Sequence, residues 1–181
     1  MRRRHPALPR LWLMTDERMG DDLLRAIRRL PKGKAGVVLR NYSLAAADRR
    51  ALFEAARKIA RRNRLVLLLG GPERLARRWK ADGWHGPERR RNRSLIHGMA
   101  VHDPAELGAA IRAKADLVFL SPVFATRSHP DAGPLGRIRF GLLARSARMP
   151  VVALGGMTSS KWRSLKRLGA YGYAAIDDWL K

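Results

Sequence analysis

The chain is 181 residues long and 46% apolar, the size and composition of one folded domain rather than a disordered segment. It has no cysteine, which excludes disulfides, thiolate zinc sites and cysteine nucleophiles. A formal net charge of +23 raises nucleic acid as a partner, but no recognition motif accompanies it and the basic residues are scattered through nearly every helical segment.

Residues 1–10 (MRRRHPALPR) read as a basic tail, and the LWLM that follows is too short for a signal-peptide core. No apolar run approaches the roughly 20 residues of a membrane span. The expectation is a cytoplasmic protein with no membrane partner. Along the chain, apolar runs recur at 11–14 (LWLM), 36–40 (GVVLR), 65–69 (LVLLL), 83–86 (GWHG), 95–101 (LIHGMAV), 117–120 (LVFL), 151–156 (VVALGG) and 173–176 (YAAI). Most are continuously apolar rather than alternating, the pattern of parallel strands covered on both faces.

Between them lie helical patterns. In 45–63, Leu52, Ala55, Ala56, Ile59 and Ala60 share one face and arginines fill the other. Asp103, Pro104 and Glu106 read as an N-cap, a first-turn proline and a capping-box acid. Thr158 would cap a further helix that turns Trp162 and Leu165 inward. The segments between strands 4 and 5 and after strand 8 are too short for full helices. Eight such units fit an open doubly wound sheet or a (β/α)8 barrel. The stretch after the first strand, MTDERMGDD, holds a single glycine, which weakens the dinucleotide-binding option. The expected fold is therefore α/β, a compact single-domain (β/α)8 TIM barrel over 11–181 with some helices shortened.

In such a barrel the active site lies at the C-terminal ends of the strands. Those positions carry Thr15, Asp16, Arg40, Gly70, Gly71, His85, His102, Gly155, Gly156 and Asp177. The long irregular stretch 121–136 (SPVFATRSHPDAGPLG) falls there too, after strand 6, and would close over a ligand as a lid. Arg40 is the best anion ligand, because its planar fork grips phosphate bidentately. His102 has the chemistry of a proton shuttle. His85 and His97 read as packing residues. Gly155 and Gly156 would let backbone N–H groups approach a phosphate. No metal site is apparent. The arginines of PERRRNR (87–93) form the one dense basic cluster.

The segments LWLMTD, VVLR, ADGWHG, MAVHDPAEL, ADLVFLSPVFATRSHP and PVVALGGM, in this order over about 11–177, resemble the thiamine phosphate synthase and TenI family. The resemblance implies a TIM barrel of thiamine biosynthesis. One branch joins a pyrimidine pyrophosphate to a thiazole phosphate with magnesium assistance. The other tautomerises a thiazole phosphate carboxylate, with a histidine moving the proton. By this resemblance Arg40 binds pyrophosphate, and Thr126 and Ser128 supply hydroxyls of the closing loop. Gly156 belongs to the phosphate loop, and His102 matches the histidine of the tautomerising branch.

The chain also departs from the synthase pattern. Val38, Arg40 and Tyr42 stand where it has Gln-x-Arg-x-Lys, and Gly70 and Gly71 where it has an Asn-Asp pair whose aspartate binds magnesium. The second magnesium aspartate is absent from GWHGPERR; Ala100 replaces a serine, His129 a lysine and Asp177 a small hydroxyl residue. Arg127 and His129 are candidates to restore part of the lost charge.

The expectation is thus a thiamine phosphate synthase/TenI-like protein that binds thiazole phosphate, with a degraded magnesium and pyrophosphate site; whether it still works as a transferase is open. No cofactor is required by the residues, and Mg2+ would enter only with the synthase reaction. Alternatives are a metal-free thiazole tautomerase, a non-catalytic sensor of a phosphorylated ligand and, ranked last, a basic barrel that binds nucleic acid. Partners would be small phosphorylated thiazole or pyrimidine molecules, with room for a homo-oligomer.

Overall fold

The computed structural model describes residues 8–89, 94–126, 133–176 and 178. Eight parallel strands close into a barrel in chain order: β1 (Leu11–Met14), β2 (Ala35–Leu39), β3 (Val66–Gly70), β4 (Gly83–His85), β5 (Ile96–Val101), β6 (Leu117–Leu120), β7 (Val151–Ala153) and β8 (Ala170–Ala175). Closure runs through β1, where Leu11 pairs with Ala35 on one side and Tyr173 on the other. Among the described residues six α-helices cover it: α1 (Asp22–Arg29), α2 (Ala46–Asn63), α3 (Glu73–Trp79), α4 (Pro104–Ala113), α5 (Gly136–Ser146) and α6 (Ser159–Leu165). This is the TIM barrel expected, and no described helix follows β4 or β8. Among the described residues no helix is long and apolar enough to cross a membrane.

Strand alternation divides the core in three. Inward positions fill the barrel with Trp12, Met14, Val38, Leu68, Ile96, Leu117, Phe119, Val152 and Ala174. Outward positions of β1–β4 pack under α1–α3, and those of β5–β8 under α4–α6. The interior is a jigsaw of large against small. Trp12 is fully buried, its indole N–H donating to the Pro9 carbonyl at 2.7 Å and its ring edge-on to Phe119 at 5.5 Å. A side chain at Gly36 would fall inside the Trp12 ring.

The opposite end from the rim uses one device twice. Asp82, just before β4, accepts the Leu67 N–H at 2.8 Å, and Asp116, just before β6, accepts the His97 N–H at 2.8 Å. Each carboxylate satisfies the amide of a neighbouring strand's second residue, near where the ladder begins.

Three local expectations need adjustment. The buried stripe of α2 is Arg49, Phe53, Ala56 and Ala60, with Leu52 and Ile59 half-buried, so one arginine lies on the inner face. Strand β8 starts at Ala170, three residues before the YAAI run. Asp103 does cap α4, accepting the Glu106 N–H at 2.8 Å, but the Glu106 carboxylate turns to the His102 N–H instead of closing the box on Asp103. Thr158 caps α6 as expected, and Leu165 is fully buried there.

Candidate active site

At the C-terminal ends of the strands a cavity of about 430 Å³ opens. Its wall includes Arg40, His102, Thr126, Gly155 and Gly156, so five of the residues singled out in the sequence line one space. Arg127, Ser128, His129 and Asp177 lie outside the described residues. The floor is apolar, formed by Met14, Ala100 and Ala174 on strands and by Leu154 just after β7.

Arg40 follows β2. Its backbone N–H donates to Thr15 Oγ1 at 2.8 Å, and its Nε donates to the Thr15 carbonyl at 2.7 Å. Thr15 is buried and donates to Asn41 Oδ1 at 2.7 Å, so it braces the rim rather than facing the cavity. Arg40 Nη2 reaches Asp16 at 3.3 Å. Burial pulls the Arg40 pKa down, opposed chiefly by Asp16, and a guanidinium remains charged regardless. Partial burial pushes Asp16 up, but hydrogen bonds from Arg18 and the charges of Arg18 and Arg40 outweigh it and leave the carboxyl below its usual range. Asp16 is therefore a brace for two arginines. With two of its five N–H donors used, Arg40 keeps three for an anion.

Gly155 and Gly156 follow β7 with φ of +92° and +58°. A side chain at Gly155 would sit 2.7 Å from Pro122 Cα, and one at Gly156 would run into the Ala125 carbonyl. Only glycine fits this turn against the loop after β6. Lys161 holds it from outside, its ammonium 2.7 Å from the Gly156 carbonyl and over the Phe124 ring.

His102 follows β5 as a half-exposed side chain. Its Nδ1 lies 2.7 Å from Glu106 Oε2, which also accepts the His102 backbone N–H at 2.7 Å. The tautomer that donates Nδ1–H to this carboxylate leaves Nε2 as an acceptor. His85 departs from its reading as a packing residue. It lines the cavity, and its Nε2 is buried with no hydrogen-bond partner. Burial, then the Arg40 and His97 charges, lower its pKa to about 4, so it is neutral at pH 7. The inward alternation Gly83, His85 at the rim end of β4 was the signal for it. His97 is a packing residue, stacked on Trp84 at 4.2 Å with Nε2 3.0 Å from the Gly86 carbonyl.

Tyr42, read in the sequence only as a missing lysine, is a further cavity residue. Its hydroxyl lies 2.5 Å from where a Gly70 Cβ would stand. Arg49 stacks on the Tyr42 ring at 5.1 Å and donates to the Arg40 carbonyl at 2.9 Å and the Gly70 carbonyl at 2.5 Å. Burial raises the Tyr42 pKa, with Arg40 and Arg49 pulling part of the way back, so the hydroxyl stays protonated. This corner tests the magnesium that the resemblance implies. Among the described residues no three metal-ligating side chains come together; Gly71, at the position of the pattern's aspartate, brings no carboxylate, and a side chain at Gly70, at the position of its asparagine, would collide with Tyr42. The donors present are an arginine and a phenol, which suit an anion and not a divalent cation.

The thiamine monophosphate synthase family model (TMP-TENI) matches residues 11–178. A protein of Aquifex aeolicus named "Putative thiamine-phosphate synthase 2" is 33% identical over 96% of this chain and 99% of its own length. A thiamine-phosphate synthase of a Roseiflexus species is 29% identical over 92% of this chain and 76% of its length. Among solved structures, the thiamine phosphate pyrophosphorylase of Pyrococcus furiosus superposes with a TM-score of 0.79 at 24% identity, over 93% of this chain and 85% of that one. With barrel, order of motifs and match along nearly the whole length in agreement, the chain belongs to the thiamine monophosphate synthase family.

Proposed function

We propose that the cavity binds a thiazole phosphate and that the chain acts on it in thiamine biosynthesis without a divalent metal. The observation that carries this reading is the pairing of Arg40 and the Gly155–Gly156 turn around one apolar floor. A small aromatic heterocycle needs the floor, and its phosphate needs fixed N–H donors. The family's joining reaction asks more. Ionising a pyrophosphate needs its developing charge neutralised, and losing one such donor typically costs about 2.7–4 kcal/mol. The Tyr42–Gly70 corner supplies no metal carboxylate, so joining thiazole phosphate to a pyrimidine pyrophosphate is expected to be slow.

The His102–Glu106 pair favours proton transfer on the bound thiazole as the reaction. Nε2 takes a proton from one ring position and returns it to another, while Glu106 stabilises the imidazolium between the two steps. The test is to follow tautomerisation of a thiazole phosphate carboxylate, and separately formation of thiamine phosphate from both substrates with magnesium. His102→Ala is expected to lower the first rate at least a hundredfold while thiazole phosphate still binds. An unchanged rate removes the tautomerase reading. Brisk thiamine phosphate formation would instead make the chain a working synthase and remove the metal-free reading.

A further inference from the structure

The basic residues look scattered in the sequence, but the fold sorts them. Each helix returns antiparallel to the strands, so helix starts surround the cavity and helix ends gather on the opposite face. The first turns of α1 to α4 carry Asp22, Asp48, Glu73 and Glu106. The last turns of α1 to α3 carry Arg28 and Arg29, Arg61 and Arg62, and Arg77 and Arg78, all exposed. Part of this follows from the helix dipole, which favours cations at a C-terminus.

The dipole does not explain the caps. Helices α2, α3 and α4 end at Arg64, Lys80 and Lys114, each left-handed with φ of +53°, +58° and +55°. Glycine is the usual residue there because it has no Cβ to strain. Three times the chain carries an exposed cation at such a position. The αβ loops add Lys32 and Lys34. Their neighbour Gly33 donates to the Asn63 carbonyl at 2.9 Å, and Asn63 donates to the Arg28 carbonyl at 3.3 Å, so the ends of α1 and α2 form one cationic surface. Among the described residues the carboxylates on this face are Asp82 and Asp116, each already accepting a strand N–H.

We propose that the face at the N-terminal ends of the strands is a docking surface for the phosphate backbone of double-stranded nucleic acid, separate from the cavity. Among the described residues the exposed large apolar side chains are Tyr42 and Leu44 in the loop after β2 and Ile138 and Leu142 along α5, none of them at a helix end on this face. The cationic face thus offers neither an apolar wedge for a membrane nor an aromatic platform for unpaired bases. Recognition is of charge, independent of base sequence.

The test is fluorescence anisotropy of a labelled duplex against the full chain over a salt series. Wild-type protein is expected to bind with a steep salt slope. The variant Arg61→Glu, Arg62→Glu, Arg77→Glu, Arg78→Glu is expected to bind more than about tenfold more weakly. A variant of equal charge change on the cavity side, Arg74→Glu, Arg89→Glu, Arg137→Glu, Arg139→Glu, should stay within about threefold of wild type. Replacing Arg64, Lys80 and Lys114 with glycine should leave Tm no lower while reducing the salt slope by about two to three. Equal weakening by both charge-reversal sets would reduce the effect to bulk charge and overturn the proposal. So would binding to phosphatidylserine vesicles without binding to duplex, or a Tm loss in the glycine variant with the slope unchanged.

Discussion

His85 carries the clearest single-residue consequence. Half-buried at the rim end of β4, with its Nε2 shielded from solvent, it has a pKa near 4 against an ordinary 6.5. The unfolded chain therefore binds a proton between those values that the native chain refuses, so stability falls as pH drops from about 6.5 to 4. The loss should approach about 3 kcal/mol, and His85→Gln should remove that part of the slope; urea unfolding at pH 7 and pH 4.5 measures it. A wild-type slope matched by the variant would mean His85 does not titrate this way. At Gly156 the issue is backbone. With φ at +58° and the Ala125 carbonyl in the way of a Cβ, Gly156→Ala should cost about 1–3 kcal/mol and abolish phosphate binding. Calorimetry and thermal unfolding separate the two effects. Both residues were visible as letters at strand ends, but histidine chemistry depends on which side of β4 it faces, and a short strand fixes that weakly.

At the scale of elements, the strands were the most legible part. Runs such as LVFL are apolar at every position because both faces of a barrel strand are covered, and β6 matches its run residue for residue. Strand β8 was read short because Ala170 and Gly172 flank Tyr171 with small residues and break the continuous apolar run. Gly172 is there because the Arg10 carbonyl lies against it. Helix α2 misled at one edge of its stripe because Arg49 stands on its inner face, where its guanidinium ties the ends of β2 and β3. The paired aspartates before β4 and β6 make a prediction of their own. Asp116→Ala strands the His97 N–H without its acceptor and should destabilise by about 1–3 kcal/mol, with ligand binding in the cavity unchanged. If ligand affinity fell with stability, the two ends of the barrel would not be independent.

Across the whole molecule, the two faces divide the labour. The C-terminal face gathers Arg40, His85, His102 and the glycine turn around an apolar floor, while the opposite face collects the helix-end cations. The cavity's polar lining was partly legible, since Arg40, His102, Thr126, Gly155 and Gly156 follow from strand ends and motif order. Tyr42 was not. Its substitution reads in sequence as a lost lysine, and only packing reveals that it occupies the space over Gly70. Nor was the charge segregation, because it arises from helix direction rather than composition. The most direct measurement is calorimetric titration of thiazole phosphate into the purified chain, first in EDTA and then in magnesium. Saturable binding on the order of micromolar, changed less than about twofold by magnesium, is predicted. Absence of binding in both buffers would contradict the assignment of the cavity, and binding that appears only with magnesium would contradict its metal-free corner.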